Sequence, residues 1–492
     1  METGAPLQFS TVPVNTPPGG PLAVELVPAP CPWAVARKLA HLPHLLFLDS
    51  ADKHPDRGRY SYVSADPQRW LNAPDGHLLD DARYQFGRPY DGFSRALRER
   101  TQPTIPQLPP FQGGLVAQFG YDLNATFERV APTAWNEFRV SAFAGGVYDW
   151  VVAFDHDAGR AWLVSTGYEA KNRDARREQR CERLNGALSE LRSSSRDIPN
   201  TVCAASAPLA PQFPLPGFLN VTSNFDRAGY EAAVRRAVEY VHAGDVFQVN
   251  LSQRLLAPLT EHPLELYGRL RDRNPAPFAA YFDLGDFQIL SASPERFLRV
   301  HPNGEVETRP IKGTRPRGRT PDEDAELVRD LTTNAKDRAE NVMIVDLLRN
   351  DIGKACEFGS VRVPRVCEVE SFRFVHHLVS EVRGKLREGV GPLDLLAGAF
   401  PGGSVTGAPK VRAMEIIAEL EPTARGPYCG CLGWIGFDGA MDTNILIRTF
   451  TAGRGWVQFP VGGGIVADSD PAREYEETLH KAAGLLRALN PE

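Results

Sequence analysis

The sharpest constraint on the fold is a change of period at Gly244. Upstream, Tyr230, Val234, Val238 and Val241 share one face of a helix that Asn224 or Asp226 can cap. Gly244 ends that helix. From Val246 to Ser252 the period is two: Phe247, Val249 and Leu251 face one side, Gln248, Asn250 and Ser252 the other. The chain must therefore build both helix and sheet here. A strand with an amide-and-hydroxyl face is either half exposed or lines a polar cleft.

The rest of the chain is read from this segment outward. Leu45–Leu48, Arg59–Val63, Phe287–Leu290 and Phe297–Val300 are strand candidates. Pro103–Pro110 is a proline-dense connector, and the Gly-bearing run Phe111–Tyr121 predicts closely packed or bent strands. Ala142–Phe154 and Arg160–Val164 read as a hairpin, and Lys171–Leu191 as a charged amphipathic helix. Residues 193–217 lack periodicity and read as a linker or long loop. The organisation expected is a flexible tail over 1–20, an N-terminal region over 21–205 and a C-terminal domain over 206–492.

Composition narrows the class. The chain has 492 residues, 42% hydrophobic and 24% charged, which is globular. A net charge of −6 offers no argument for nucleic acid or an anionic membrane. No apolar run approaches the roughly 20 residues needed to span a bilayer. No signal peptide is visible, and seven cysteines at irregular spacing, without a CxxC, argue for reduced thiols in the cytoplasm.

Several constellations could do chemistry. Lys312 sits in Arg309–Gly318, a Pro/Gly-punctuated turn; held and desolvated, it would be a nucleophile, and solvated it is one more basic surface residue. Ala335–Arg349 reads as a helix that puts Asp337 and Glu340 on one face. Asp470 and Pro471 open a last helix carrying Glu474, Glu477 and Lys481 on one face. Those acids are either routine surface pairs or carboxylates from two helices meeting at a hard divalent cation. Gly462, Gly463 and Gly464 read as a turn whose amides can approach an anion. Pro401–Lys410 superficially resembles a phosphate loop but has Ala408-Pro409 after Gly407 in place of Lys-Ser/Thr, so nucleotide binding is rejected. Asn444–Phe450 reads as a strand in which Arg448 needs a carboxylate partner, from the protein or from a substrate. Of His376 and His377 at most one can face any given site. Glu295, between two strands, becomes a general acid if its surroundings raise its pKa.

Taken in order, Gly244–Ser252, Ser293–Phe297, Pro310–Thr314, Lys336–Asn341, Gly403–Lys410 and Arg473–Thr478 resemble the chorismate-utilising enzymes. That family includes anthranilate, aminodeoxychorismate, isochorismate and salicylate synthases. The match is dense over about 220–490 and continues weakly through Phe47–Ser50 and Phe111–Gly114. The resemblance implies an α/β (α+β) fold, a large composite of antiparallel β-sheets with outer helices, anthranilate-synthase-like. The cleft would lie in the C-terminal part, with the N-terminal region packed on it as a companion layer.

Within the family, Lys312 marks the aminodeoxychorismate synthase branch, since anthranilate synthases typically carry alanine there. The resemblance implies that Lys312 attacks C2 of chorismate as the C4 hydroxyl leaves, and that ammonia then attacks C4 and expels the lysine. Gln248 fits the same branch, because isochorismate and salicylate synthases place a water-activating lysine there. Glu340 and Glu477 match Mg²⁺ ligands, with Asp337 and Glu474 as outer carboxylates. Tyr428, Arg448, Lys481 and the Gly462, Gly463 and Gly464 amides match groups holding the two substrate carboxylates. Glu295 matches the general acid and His377 a histidine near the leaving hydroxyl; Gly313 and Thr314 line the pocket beside Lys312. Asn341 departs from a frequent family histidine, and Asp49 from the glutamate of tryptophan-sensing relatives.

No glutamine-hydrolysing segment is recognisable, so ammonia is expected from a separate glutamine amidotransferase subunit or from solution. The product implied is 4-amino-4-deoxychorismate, a precursor of 4-aminobenzoate and folate. Two alternatives are anthranilate synthase component I and a non-catalytic chorismate-binding or regulatory protein.

Overall fold

The computed structural model describes residues 7–16, 19–52, 57–73, 94, 97, 101–167, 173–193, 208–372 and 375–490. Gly244 takes φ +83° and closes the helix Arg227–Ala243, whose cap Asp226 accepts the Gly229 N–H at 2.7 Å. The next strand, Gln248–Pro258, runs beyond the segment read from periodicity. It pairs antiparallel with Trp456–Ile465, setting Asn250 opposite Gly464, Leu251 opposite Gly463 and Ser252 opposite Gly462. The three glycines thus lie in a strand, not a turn. The cross-strand neighbours lie so close that a Cβ at Gly462 would sit 2.4 Å from the Leu251 carbonyl oxygen.

The described strands form two large antiparallel sheets, of fourteen and ten strands. The N-terminal region does not pack on them as a companion layer; it supplies strands to both. Leu46–Asp49 pairs with Phe278–Asp283 in the larger sheet, and Gly114–Phe119 with Cys431–Gly436 in the smaller. Backbone groups at each sheet edge need partners, and the N-terminal strands supply them. Ser10–Pro13, inside the expected tail, forms a strand on Leu22–Val27 for the same reason. Most of the expected linker, residues 194–207, lies outside the described residues.

At three places consecutive strands enter different sheets, and at two of them, within Ala142–Phe154 and Asn444–Phe450, the sequence reads as a single strand. Phe143–Tyr148 and Trp150–Asp155 are separated at Asp149, Phe287–Ser293 and Arg296–Val300 at Pro294-Glu295, and Met441–Ile445 and Thr449–Gly453 at Leu446–Arg448. Both strands of each pair are buried, so hydrophobicity carries no mark of the switch. Between the sheets lies a core of large side chains, among them Phe111, Tyr148, Phe282 and Trp434. Helices cover the outside. Ala335–Gly353 is capped by Asn334, which accepts the Asp337 N–H at 3.0 Å, and Pro471–Leu489 by Asp470, which accepts the Arg473 N–H at 2.9 Å. The six described cysteines are free thiols. No described helix is long and apolar enough to cross a membrane.

One buried ion pair joins the two regions. Arg254, in the strand Gln248–Pro258, donates from Nη2 to Glu137 Oε1 at 2.6 Å, with each side chain only 4% exposed. The Arg254 guanidinium also lies over the Phe138 ring. Removing one member strands the other charge in a dry site, a loss of about 3–5 kcal/mol. Arg254→Met is therefore expected to lower the urea midpoint in one cooperative transition monitored by circular dichroism. Separate transitions for two regions would contradict the shared-sheet architecture.

Candidate active site at the sheet crossovers

Two crossovers run side by side. The Ile445 N–H donates to the Glu295 carbonyl at 3.0 Å, the Ala292 N–H to the Arg448 carbonyl at 3.1 Å, and the Ser293 hydroxyl to the Ile445 carbonyl at 2.6 Å. Arg448 sits in the left-handed region at φ +53°, which breaks the strand expected over Asn444–Phe450. Among the described residues no carboxylate pairs with the Arg448 side chain, and burial disfavours its charge. Of the two partners open to it from sequence, the internal salt bridge is not formed. Tyr428, buried, is the group whose charge couples to it.

The Glu295 carboxyl is buried and accepts from the Ile311 N–H and the Ser404 hydroxyl. Burial nevertheless pushes its pKa up to about 7, opposed chiefly by Lys312. A carboxyl so placed keeps its proton near neutrality and can deliver it.

Lys312 lies on a strand, Ile311–Pro316, not in a turn. The strand pairs Ile311 with Val379 and Thr314 with His377, and its register shifts between them. Gly313, at φ +83°, makes that bulge possible; a Cβ there would lie 2.9 Å from Leu331 Cδ1 and 3.0 Å from Asp337 Cγ. The bulge sends Lys312 inward, where Nζ donates to the Ser404 carbonyl at 3.3 Å. Burial lowers its pKa, against the opposing pull of Glu340, and the cation of Lys481 adds to the lowering. A half-buried amine in this setting yields its proton more readily than a solvated one.

His377 Nδ1 bonds the Thr314 hydroxyl at 2.9 Å, and its ring meets Phe372 edge to face. Burial, then the charges of Arg448 and Arg57, push its pKa down to about 3, so the imidazole is neutral at ordinary pH. His376 points the other way, with Nδ1 on Ser371 Oγ at 2.8 Å and Nε2 on Asp324 Oδ1 at 2.9 Å.

The last helix sets its acids beside Gly463, and Glu340 on the other acid-bearing helix feels the charge of Glu477. A Cβ on Gly463 would lie 3.2 Å from Glu474 Oε2, 3.4 Å from Glu477 Oε1 and 3.6 Å from Lys481 Nζ. Lys481 Nζ bridges Glu477 Oε1 at 2.7 Å and the Gly462 carbonyl at 2.9 Å. Burial raises the pKa of Glu340 and of Glu474, and Glu477 adds to both. Glu474 accepts from the Ser469 hydroxyl at 2.7 Å, while Asp337 spends one oxygen on Arg315 at 2.9 Å. Among the described residues no group of three or more His, Cys, Asp or Glu side chains forms a ready-made metal cage. A hard cation that keeps its waters needs only one or two carboxylates, and the bare backbone at Gly463 leaves room beside them. Glu340 fits such a cation, while Glu477 and Asp337 each already spend one oxygen on a cationic side chain and have the other to offer.

Gln248 is fully buried at 0% exposure, and neither atom of its amide has a hydrogen-bond partner. Pairing with the strand Thr449–Gly453 stops at Gln458, so no strand flanks the Gly462–Gly464 backbone on the side away from Asn250. Asn341, in place of the family histidine, is structural: Nδ2 donates to the Leu378 carbonyl at 3.2 Å. Asp49 Oδ2 is held by Arg271 Nε at 2.7 Å and by the Tyr267 hydroxyl at 3.2 Å.

Sequence reasoning passed over Ser404, which contacts both Lys312 and Glu295. It belongs to the segment set aside as a failed phosphate loop, and its turn of Pro and Gly around one Ser was the available signal. Arg57, buried and paired with Glu370 beside Phe372, carried none, since it arrives from the N-terminal region.

Residues 49–487 match the model of the chorismate binding enzyme family. The chain is 41% identical to anthranilate synthase component 1 of Thermus thermophilus, over 92% of this chain and 94% of that one. It is 40% identical to aminodeoxychorismate synthase component 1 of Salmonella typhimurium, over 91% and 94%. Among solved structures, anthranilate synthase component I of Streptococcus pneumoniae superposes with a TM-score of 0.73 at 31% identity, covering 88% of this chain and 93% of that one. The crossover site, the paired sheets and these relatives agree, and the chain belongs to the chorismate-binding enzymes.

Proposed function

We propose that this enzyme is an aminodeoxychorismate synthase, converting chorismate and ammonia to 4-amino-4-deoxychorismate and water. The observation that carries the reading is Lys312, a half-buried amine that feels the charges of a proton-holding Glu295 and of acids on two helices. Lys312 Nζ bonds to C2 of the ring as the C4–oxygen bond breaks. Glu295 supplies the proton with which the hydroxyl departs as water. Ammonia then bonds to C4 while the C2–Nζ bond breaks, returning the lysine and passing the surplus proton back toward Glu295. An amine that adds and leaves divides one hard displacement into two allylic ones. Arg448, which has no acid partner among the described residues, binds a substrate carboxylate, with Tyr428 beside it and the Gly462–Gly464 backbone and Lys481 at the other end. Thr314 orients neutral His377 toward the leaving hydroxyl, and Gly313 permits the bulge that aims Lys312.

Glu340 and Glu477 would hold Mg²⁺, with Glu474 and Asp337 outside them. When bound, the ion offsets negative charge on a substrate carboxylate. A glutamine amidotransferase subunit would supply the ammonia, and the product would serve 4-aminobenzoate and folate synthesis.

Chorismate, Mg²⁺ and an ammonium salt are expected to yield aminodeoxychorismate by liquid chromatography and mass spectrometry. Prompt anthranilate fluorescence would instead favour anthranilate synthase, and no turnover would favour a binding protein. Lys312→Ala is expected to abolish the covalent adduct found by peptide mass on Lys312 in the wild type; unchanged turnover would sink the covalent route.

The acid limb gives a pH test. Glu295 must be protonated to act, so kcat/KM should fall as pH rises through about 7. Neutral Lys312 is favoured by rising pH, which sets the opposite limb. Glu295→Gln should lower kcat by about 10²–10⁴ and remove the falling limb. A limb that persists in the variant would assign the acid role elsewhere.

A further inference from the structure

One sequence motif remains without a role: Pro401–Lys410, which fails as a phosphate loop. It joins the helix Pro392–Ala399 to the helix Lys410–Leu420. Residues 401–408 are buried, yet they form only a short 3-10 turn, Gly403–Val405, and a two-residue strand, Gly407–Ala408. Buried irregular backbone needs partners from outside itself. Here the Ser404 carbonyl accepts from Lys312 Nζ at 3.3 Å, the Val405 carbonyl from Arg425 Nη1 at 3.1 Å and the Thr406 carbonyl from the Asn250 N–H at 2.8 Å. The Ser404 hydroxyl donates to the Glu295 carboxyl. A shift of this stretch moves the partner of the amine and the partner of the acid at once.

One ammonium holds both ends of the stretch. Lys410, its side chain 11% exposed, donates from Nζ to the Ala399 carbonyl at 2.6 Å and to Asp351 Oδ2 at 2.7 Å. Ala399 ends the helix before the stretch and Lys410 begins the helix after it, so this side chain closes the stretch into a loop. Asp351, 1% exposed, stands on the helix Ala335–Gly353. Its Oδ1 takes Lys354 Nζ at 3.3 Å, and Lys354 Nζ also donates to the Gly398 carbonyl at 3.1 Å. A second attachment lies inside the loop. The same helix sets Leu347 against Gly403, where a Cβ would lie 2.9 Å from Leu347 Cγ. The spacing of Glu340, Leu347 and Asp351 puts all three on one face of that helix. The face that carries Glu340 thus carries both attachments of the loop.

Stability alone is a poor account of the Lys410–Asp351 pair, because a buried ion pair adds little over apolar side chains of similar volume. What the ammonium adds is convergence. Three donors on one atom gather a carboxylate and a carbonyl at a single point. Apolar side chains would fill the space without fixing the two chain ends.

We propose that Lys410 is a positioning residue for the reaction: by closing Ala399–Lys410 on Asp351, it sets Ser404 against both Lys312 and Glu295. This rests on the roles read above for Lys312 and Glu295, and deepens that reading by naming what holds them in place relative to Glu340.

The test compares Lys410→Met with the double variant Lys410→Met/Asp351→Asn, using the full chain, chorismate and ammonium chloride. Lys410→Met is expected to melt at a lower temperature, since Asp351 loses its nearest cation. The double variant should recover most of that loss, because the buried acid is gone. In both, kcat should fall about tenfold to a hundredfold, the cost of a small misplacement, while KM for chorismate stays within about threefold. A pH profile gives a separate readout. The groups that act on Glu295 are Lys312, the Ser404 hydroxyl, the Ile311 N–H and Arg57, and each lowers its pKa. Loosening Ser404 removes part of that pull, so the falling limb of kcat/KM should move to higher pH in the double variant. Should neither variant fold, Lys410→Gln, which keeps an N–H donor for Ala399, is measured with a smaller shift expected in the same direction. Wild-type kcat in a double variant of restored stability would mean that the pair only stabilises. A fall in kcat with an unmoved limb and an equal rise in KM would mean general distortion. Either result overturns the assignment. The wild-type product separates the two readings: anthranilate would refute the aminodeoxychorismate reading and leave Lys410 to be judged on the double variant. No turnover by the wild type would refute both.

Discussion

Two strands that change sheets at the same level hold this site together. Where Ser293 leads to Arg296, and Ile445 to Thr449, the chain leaves one sheet for the other, and the two passages hydrogen-bond to each other. Each must turn sharply between buried layers, so its side chains are delivered into the space between sheets and not to solvent. One passage delivers the buried Glu295 carboxyl and the other the Arg448 guanidinium, with which no described carboxylate pairs. Neither position is adjustable, because the strands on both sides are fixed in register by long ladders.

Against this frame, the segment from Gly402 to Ala408 acts as a connector. Its carbonyl groups receive Lys312, Arg425 and the Asn250 amide in succession, through Ser404, Val405 and Thr406. A short irregular stretch thereby aligns the bulged strand, the buried Glu421–Arg425 pair and the strand carrying Gln248. The electrostatics follow from enclosure. Burial raises Glu295 and lowers Lys312, so both lean toward their neutral forms in one pocket. The carboxyl and the amine then sit in one pocket without locking into a salt bridge, which would fix the charge on both.

Much of the site was legible in one dimension. The caps Asp226 and Asp470, the stop at Gly244 and the spacing of Glu474, Glu477 and Lys481 are local signals, and local sterics and hydrogen bonding enforce them. The glycines of Gly462–Gly464 were legible as a place of close approach, yet as a turn and not as a strand. Glycine permits both, and only the ladder with Asn250–Ser252 decides. Lys312 was legible as a held residue, but its hold comes from a bulge opposite Val379–His377 rather than from Pro310.

The sheet changes at Asp149, Glu295 and Leu446–Arg448 left no trace in the pattern of apolar residues. A strand buried on both faces looks alike whichever sheet it joins, so the runs across Asp149 and Leu446–Arg448 read as continuous, and the break read at Glu295 carried no sign that its two strands enter different sheets. Likewise Ser10–Pro13 is polar enough to pass for a tail until a partner strand takes its backbone. Helix ends, strand faces and the family motifs follow from residues within a few positions of one another, and the linear chain decides them. Which sheet a strand enters, which acid loses its water and which amide is left without a partner depend on residues hundreds of positions apart, and only the packed molecule sets those.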